Sequence, residues 1–197
     1  MTRPSLGLAI AVLFAASTAL AVALRYRPGT QSFTAPAGSS GEGFVDVLTT
    51  ADYYGLQVLT LWDHQQRVCA VQLEQRGFAT ATDSVMERVK VCEPKVAETW
   101  RRADVGESHF ITAIAACVGG EEGVVRGVEI LGAELSPEGL AQSPDRSARF
   151  AFESCAWSET RSCPPGQIAT GVRVHVDDDT EKGIVGLSLR CHRLEPR

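Results

Sequence analysis

The residues of this chain with chemistry to offer are four histidines, six cysteines, one acidic loop and two polar strand faces. His64, His109, His175 and His192 are scattered, and no Gly-x-Ser-x-Gly elbow accompanies them. A nucleophile needs a base within hydrogen-bond reach. Cys191 and His192 are neighbours, but successive strand residues point to opposite faces, so they do not form such a pair. Asp177, Asp178, Asp179 and Glu181 carry hard oxygens of the kind calcium takes. They lack the alternation and central glycine of an EF-hand loop, and read better as a solvated hairpin tip. Arg173 and His175 alternate along one run, and Ser188 and Arg190 along the next. Those four form the candidate binding face, able to offer hydrogen bonds to sugars or to a protein. No cofactor is expected.

Cys69, Cys92, Cys117, Cys155, Cys163 and Cys191 are even in number and contain no Cys-x-x-Cys pair. That removes the commonest zinc and thioredoxin-like patterns. In an oxidising compartment six cysteines make up to three disulfides, with fifteen possible pairings. Export is itself expected. Arg3 precedes an apolar run from Leu6 to Leu24, interrupted only by Ser17 and Thr18, and Ala19-Leu20-Ala21 fits cleavage after Ala21. The run is also of the length, about 17–25 residues, that spans a bilayer, so an uncleaved anchor is the alternative. The protein is therefore expected to be secreted, periplasmic or at the cell surface.

The 197 residues carry a formal charge of −5, from 19 Lys plus Arg against 24 Asp plus Glu. That balance argues against nucleic acid as a partner. The hydrophobic fraction of 44% is that of a globular chain. The sequence has no Asn, hence no N-glycosylation sequon.

The elements that must position these residues read as strands. Pro28 to Gly43 is rich in Gly, Ser, Thr, Ala and Pro and reads as part of a flexible linker. The expected organisation is an export segment over 1–24, a linker over 25–43 and one all-β domain over 44–197. Within that domain Cys69, Val71 and Leu73 alternate with polar residues, and Phe110 to Val118 is almost continuously apolar. Ile168, Thr170, Val172, Val174 and Val176 share one face, as do Val185, Leu187, Leu189 and Cys191, which predicts an antiparallel hairpin. Ser84 to Arg102 admits a short helix.

An internal repeat supports this organisation. Trp100 lies eleven residues before Ile111, and Trp157 eleven before Ile168. Under that alignment Cys117 matches Val174 and Gly132 matches Cys191. Because the two tryptophans recur at one position, both are expected to plug the core. A third copy near Trp62 is too weak to assign.

The second copy carries further motifs. Trp157 is followed by Cys163-Pro164-Pro165-Gly166 and Ile168-Ala169-Thr170-Gly171-Val172, then by Asp178-Asp179-Thr180 and Gly186-Leu187-Ser188-Leu189-Arg190-Cys191. This stretch resembles one repeat of the vitelline membrane outer layer protein family. The resemblance implies a β-prism, in which three sheets surround an apolar core with pseudo-threefold symmetry, a shape shared with several lectins. It also implies a secreted, disulfide-bonded protein, and it supplies no catalytic residues.

The expected function is a secreted or membrane-tethered, non-enzymatic binding module for carbohydrate or a cell-envelope polymer. The first alternative is a structural coat or protein-interaction domain without a small ligand. The second is a hydrolase whose site is assembled from distant residues. The expected partner is an extracellular or envelope carbohydrate or protein.

Overall fold

The computed structural model describes residues 24–49, 51–64, 67–78, 82–86, 88–92, 99–120, 123–136, 139–177 and 183–196. The expected export segment lies outside them as far as residue 23. Every regular element among the described residues is a strand. The chain opens with β1 (Leu24–Tyr26), β2 (Ser32–Phe33), β3 (Ala37–Gly38) and β4 (Gly43–Leu48). A long hairpin follows, β5 (Tyr54–His64) and β6 (Arg67–Gly77), then the short strands β7 (Asp83–Val85) and β8 (Val89–Lys90) and the strand β9 (Thr99–Asp104). A second hairpin pairs β10 (His109–Gly119) with β11 (Val124–Ser136), followed by β12 (Gly139–Leu140), β13 (Arg146–Ala151), β14 (Ala156–Trp157) and β15 (Arg161–Ser162). The third pairs β16 (Gln167–Val176) with β17 (Ile184–Pro196). The described residues of the Ser84–Arg102 stretch, where a short helix was admitted, contain only strands.

Each long hairpin is the middle of one sheet, and the three sheets are built alike. The second strand of each hairpin carries short edge strands: β7 and β8 on β6, β12 and β13 on β11, and β1, β2 and β3 on β17. The first strand is flanked by the strand that leads into another hairpin: β9 on β5, β14 and β15 on β10, and β4 on β16. The chain therefore steps from sheet to sheet and closes on itself. This is the β-prism that the family resemblance implied, with a third copy in β5 and β6 that the sequence conceals.

Closure explains residues 25–43. They were expected as a linker, but they lie along β17 as β1, β2 and β3 and continue toward β4. The N-terminal segment thereby covers the outer edge of β17. Its few apolar side chains hide the pairing, because a strand edge is recruited by backbone groups. Tyr26 adds an anchor. It stacks on His192 with ring centroids 4.8 Å apart, shares a 2.8 Å hydrogen bond with Thr49, and meets Phe78 edge-on. Burial pushes the Tyr26 phenol well above its ordinary range, so it stays neutral.

The register repeats as well. Each hairpin skips one residue near its start, Gln57, Thr112 and Thr170, and shifts again at Trp62, Cys117 and His175. Thr112 thus corresponds to Thr170 and Cys117 to His175, one residue beyond the sequence alignment. The match of Gly132 with Cys191 agrees with the pairs Ile111↔Gly132 and Ala169↔Cys191. The skipped residues offer their carbonyls to the next strand: Val105 N donates to Gln57, Cys163 N to Thr112 and Thr49 N to Thr170. No bulge carbonyl is left unmet.

The core lies between the sheets. Leu56, Leu59, Leu61 and Leu73 meet Ile111, Ile114 and Ile130 from the second sheet and Val172, Val174, Leu187 and Leu189 from the third. Each such side chain contributes about 1.5–3 kcal/mol by leaving water. Three disulfides brace the edges: Cys69–Cys92, Cys117–Cys155 and Cys163–Cys191. No cysteine is free. Disulfides persist in oxidising compartments, so the cysteine chemistry suits a protein outside the cytosol.

Candidate functional site

The structure brings Arg173, His175, Ser188 and Arg190 to the outer face of the β16–β17 sheet, with Arg173 directly opposite Ser188. Each is held within the chain. Arg173 forks onto Asp46 across the β4 pairing, Nε to Oδ1 at 2.7 Å and Nη2 to Oδ2 at 2.9 Å. Its guanidinium lies 4.0 Å from the Phe33 ring centroid and 3.8 Å from that of Phe44. The hydrogen bond from Arg173 holds the Asp46 carboxyl below the ordinary carboxylate range. His175 bonds Ser40 O through Nδ1 and Ser188 Oγ through Nε2, both at 2.8 Å. Burial lowers its pKa, so the ring is neutral at pH 7. Ser188 is only 2% exposed and the carbonyl of Ser40 stands where a triad would place a carboxylate, so this pair pins the chain and does not present a nucleophile. Arg190 Nη2 donates to Gln31 at 2.8 Å. Of the calcium candidates, Asp177 is described and has a partner; Asp178, Asp179 and Glu181 lie outside the described residues.

The same register position on the β5–β9 sheet carries an exposed aromatic on its flanking strand. Leu59 and Leu61 point into the core, so Val58, Thr60 and Trp62 face outward. Opposite them on β9 stand Asp104, Arg102 and Trp100, and on β6 Glu74, Gln72 and Ala70. Trp100 is 62% exposed, and it is paired directly across from Trp62. The expectation that Trp100 plugs the core is overturned, and Trp157 too is only partly buried. Both occupy the strand that flanks a hairpin, on its outer side. Phe44 is their counterpart on β4, opposite His175. The recurring position is therefore a surface one. An arginine lies over each of the other two rings, Arg173 on Phe44, which stays 56% exposed, and Arg149 3.9 Å from the Trp157 ring. Arg88 lies 5.1 Å from the ring centroid of Trp62.

Below the tryptophans the face becomes polar. Arg102 Nη2 lies 2.9 Å from Glu74 Oε2 and 3.1 Å from Asp104 Oδ2. Asp104 Oδ1 accepts from Gly106 N at 2.8 Å, and Gln57 Nε2 donates to the carbonyls of Gly106 and His109, which fixes the turn after β9. These groups border a pocket of about 210 Å³ whose lining includes Glu74, Arg76, Asp83, Asp104 and Glu107. An exposed tryptophan, set against a half-buried one and beside a pocket of forked donors and acceptors, can stack a ring face and bond its hydroxyls. The sequence carried a trace of this: Trp100, Arg102 and Asp104 alternate with Arg101, Ala103 and Val105. What could not be read was that β9 pairs with β5, which sets Trp100 on Trp62.

No protein-family model matches the chain, and no curated protein does. Solved structures do. The agglutinin of Calystegia sepium superposes with a TM-score of 0.56 at 10% identity, covering 83% of this chain and 97% of that one. The Calsepa lectin in complex with a biantennary N-glycan gives 0.56 at 9%, with the same coverage. A mannose-specific jacalin-related lectin from Morus nigra, in complex with mannose, gives 0.52 at 9%, covering 83% of this chain and 95% of that one. At these identities the likeness is one of fold, and the chain is built as the β-prism of the jacalin-related lectins.

Proposed function

We propose that this protein is a non-enzymatic carbohydrate-binding module acting outside the cytosol, and that it receives sugar on the outer face of the β5–β9 sheet. The observation that carries the reading is Trp100, a large aromatic left in solvent and set against Trp62, beside a pocket of carboxylates and guanidinium groups. Trp100 supplies a flat apolar surface for the C–H face of a pyranose. Glu74, Arg102 and Asp104 already bond one another, so they are oriented before a ligand arrives. The support from fold is that several proteins of the same architecture are lectins, two of them solved with a glycan or mannose bound. The three disulfides favour an extracellular or envelope glycan as the partner. The protein would reach it secreted, or tethered by its N-terminal segment.

A glycan array probed with the purified protein and with Trp100→Ala tests this. Binding by the parent chain that the variant loses supports the reading. Absence of binding to every glycan sinks it and favours a coat or protein-interaction role.

A further inference from the structure

The prism holds a second pocket at a position that its symmetry relates to the first. On the β10–β11 sheet a space of about 290 Å³ is bordered by Thr112, Ala113, Ala133 and Ser162, together with the segments 140–144 and 163–167. The register places it as the counterpart of the pocket beside Trp100. Thr112 is the skipped residue, as Gln57 is, and Ser162 pairs with Ala113 as Asp104 pairs with Val58. Ala133 stands opposite Phe110 where Arg76 stands opposite Gly55. On the β16–β17 sheet the position is filled: Leu48 lies over Gly171, so close that a β-carbon there would sit 2.8 Å from Leu48 Cδ2.

The two open pockets share geometry and differ in chemistry. The first has carboxylates and guanidinium groups in its lining; the second has no charged residue in its lining. Its walls are alanine, Leu140 and prolines, and its polar groups are hydroxyls and amides, among them Ser162 and Gln142. The wall at 163–167 is held in place: Cys163 is bonded to Cys191, and Gln167 Oε1 accepts from Ser32 Oγ at 2.9 Å. A charged sugar would find no counter-ion here. A plain hexose would leave the apolar walls uncovered. An acetamido sugar offers a methyl group to the walls and an amide to the hydroxyl and carboxamide rim.

We infer that this pocket is a second, independent saccharide site that takes a neutral acetamido sugar, which makes the domain bivalent on two adjacent faces. The inference rests on the reading of the prism as a carbohydrate binder and adds a site and a ligand class to it.

The test is a ¹H–¹⁵N titration of the protein with N-acetylglucosamine, with glucose as the matched probe lacking the acetamido group. The amides of Gln142, Ser162 and Gln167 are expected to shift with N-acetylglucosamine, and about tenfold more weakly with glucose. The shifts should persist in Trp100→Ala and vanish in Ser162→Trp. Ala141→Trp, at the exposed rim, gives the same outcome should Ser162→Trp disturb the edge strand. Unmoved amides at those positions, equal response to glucose, or shifts that survive both filling variants would overturn the second site. If the glycan array still reports binding through Trp100, only the second site has failed; if it does not, both readings fall.

Discussion

Val105 rests on the bare α-carbon of Gly132: a β-carbon added there would stand 2.6 Å from Val105 Cβ. Val105 and Cys163 are counterparts, each giving its N–H to a skipped residue, and Gly132 and Cys191 are counterparts on the second strand of their hairpins. One corner of the prism is thus closed by a disulfide and the next by a valine seated on a glycine. Gly132→Ala should cost about 1–3 kcal/mol by overpacking that contact. Adding Val105→Gly should return part of the loss. Urea unfolding of the two single variants and the double variant measures the coupling, and strictly additive costs would mean that the two residues do not share this role.

Arg173 ties β16 to β2 and β4, far away in sequence, through Asp46 and the rings of Phe33 and Phe44. Arg173→Ala should lower stability by about 1–2 kcal/mol and leave glycan binding unchanged. Arg173→Lys should recover less than half, because an ammonium cannot fork onto a carboxylate. Thermal melts and the glycan array report the two quantities separately. Lost binding with an unmoved melt would instead make the β16–β17 face the site, as the sequence pattern suggested.

Trp100 is the opposite case. Its exposure means that Trp100→Ala should change stability by no more than about 0.5 kcal/mol. Loss of a stacking residue should weaken binding by about 2 kcal/mol, roughly 30-fold, by calorimetry with an array-identified glycan. Trp62→Ala should weaken it too, since Trp62 backs Trp100 and carries Arg88.

Alternation made the fold class and two of the three hairpins legible. The third hairpin was not, because Gln57, Trp62 and Gln75 stand where the other copies have Thr112 and Thr170, Cys117 and His175, and Gly132 and Cys191. The N-terminal edge was missed for another reason. Strand addition by backbone hydrogen bonds leaves little imprint on side chains, and Ser32, Phe33, Ala37 and Gly38 have no pattern to betray it. Arg173, His175, Ser188 and Arg190 lie on one side of the β16–β17 sheet, since period-two spacing fixes which residues share a side. Occupation of that surface by Asp46, Ser40 and Gln31 depends on contacts spanning more than a hundred residues, and spacing carries no trace of those.

His192 ties the closing strand to acid sensitivity. Its ring is buried, bonds Thr170 Oγ1 through Nδ1 at 2.7 Å and stacks on Tyr26. Burial, with a smaller effect from Arg190, lowers its pKa from 6.5 to about 4. Between those values the unfolded chain holds more protons at this site than the folded one, so stability rises with pH across the window. The contribution is fully present above about 6.5 and is lost as pH falls through about 4. His175, also lowered by burial, acts in the same direction. Carboxylates titrate near the lower end, so the informative quantity is the difference between the parent chain and His192→Gln, which keeps a polar group beside Thr170 but does not titrate. The parent chain should lose melting temperature faster than the variant from pH 6.5 to 4, and hydrogen exchange at Tyr26 should rise first, because β1 is held by this ring. Parallel melting curves for the two proteins across that range would show that His192 does not govern the closure.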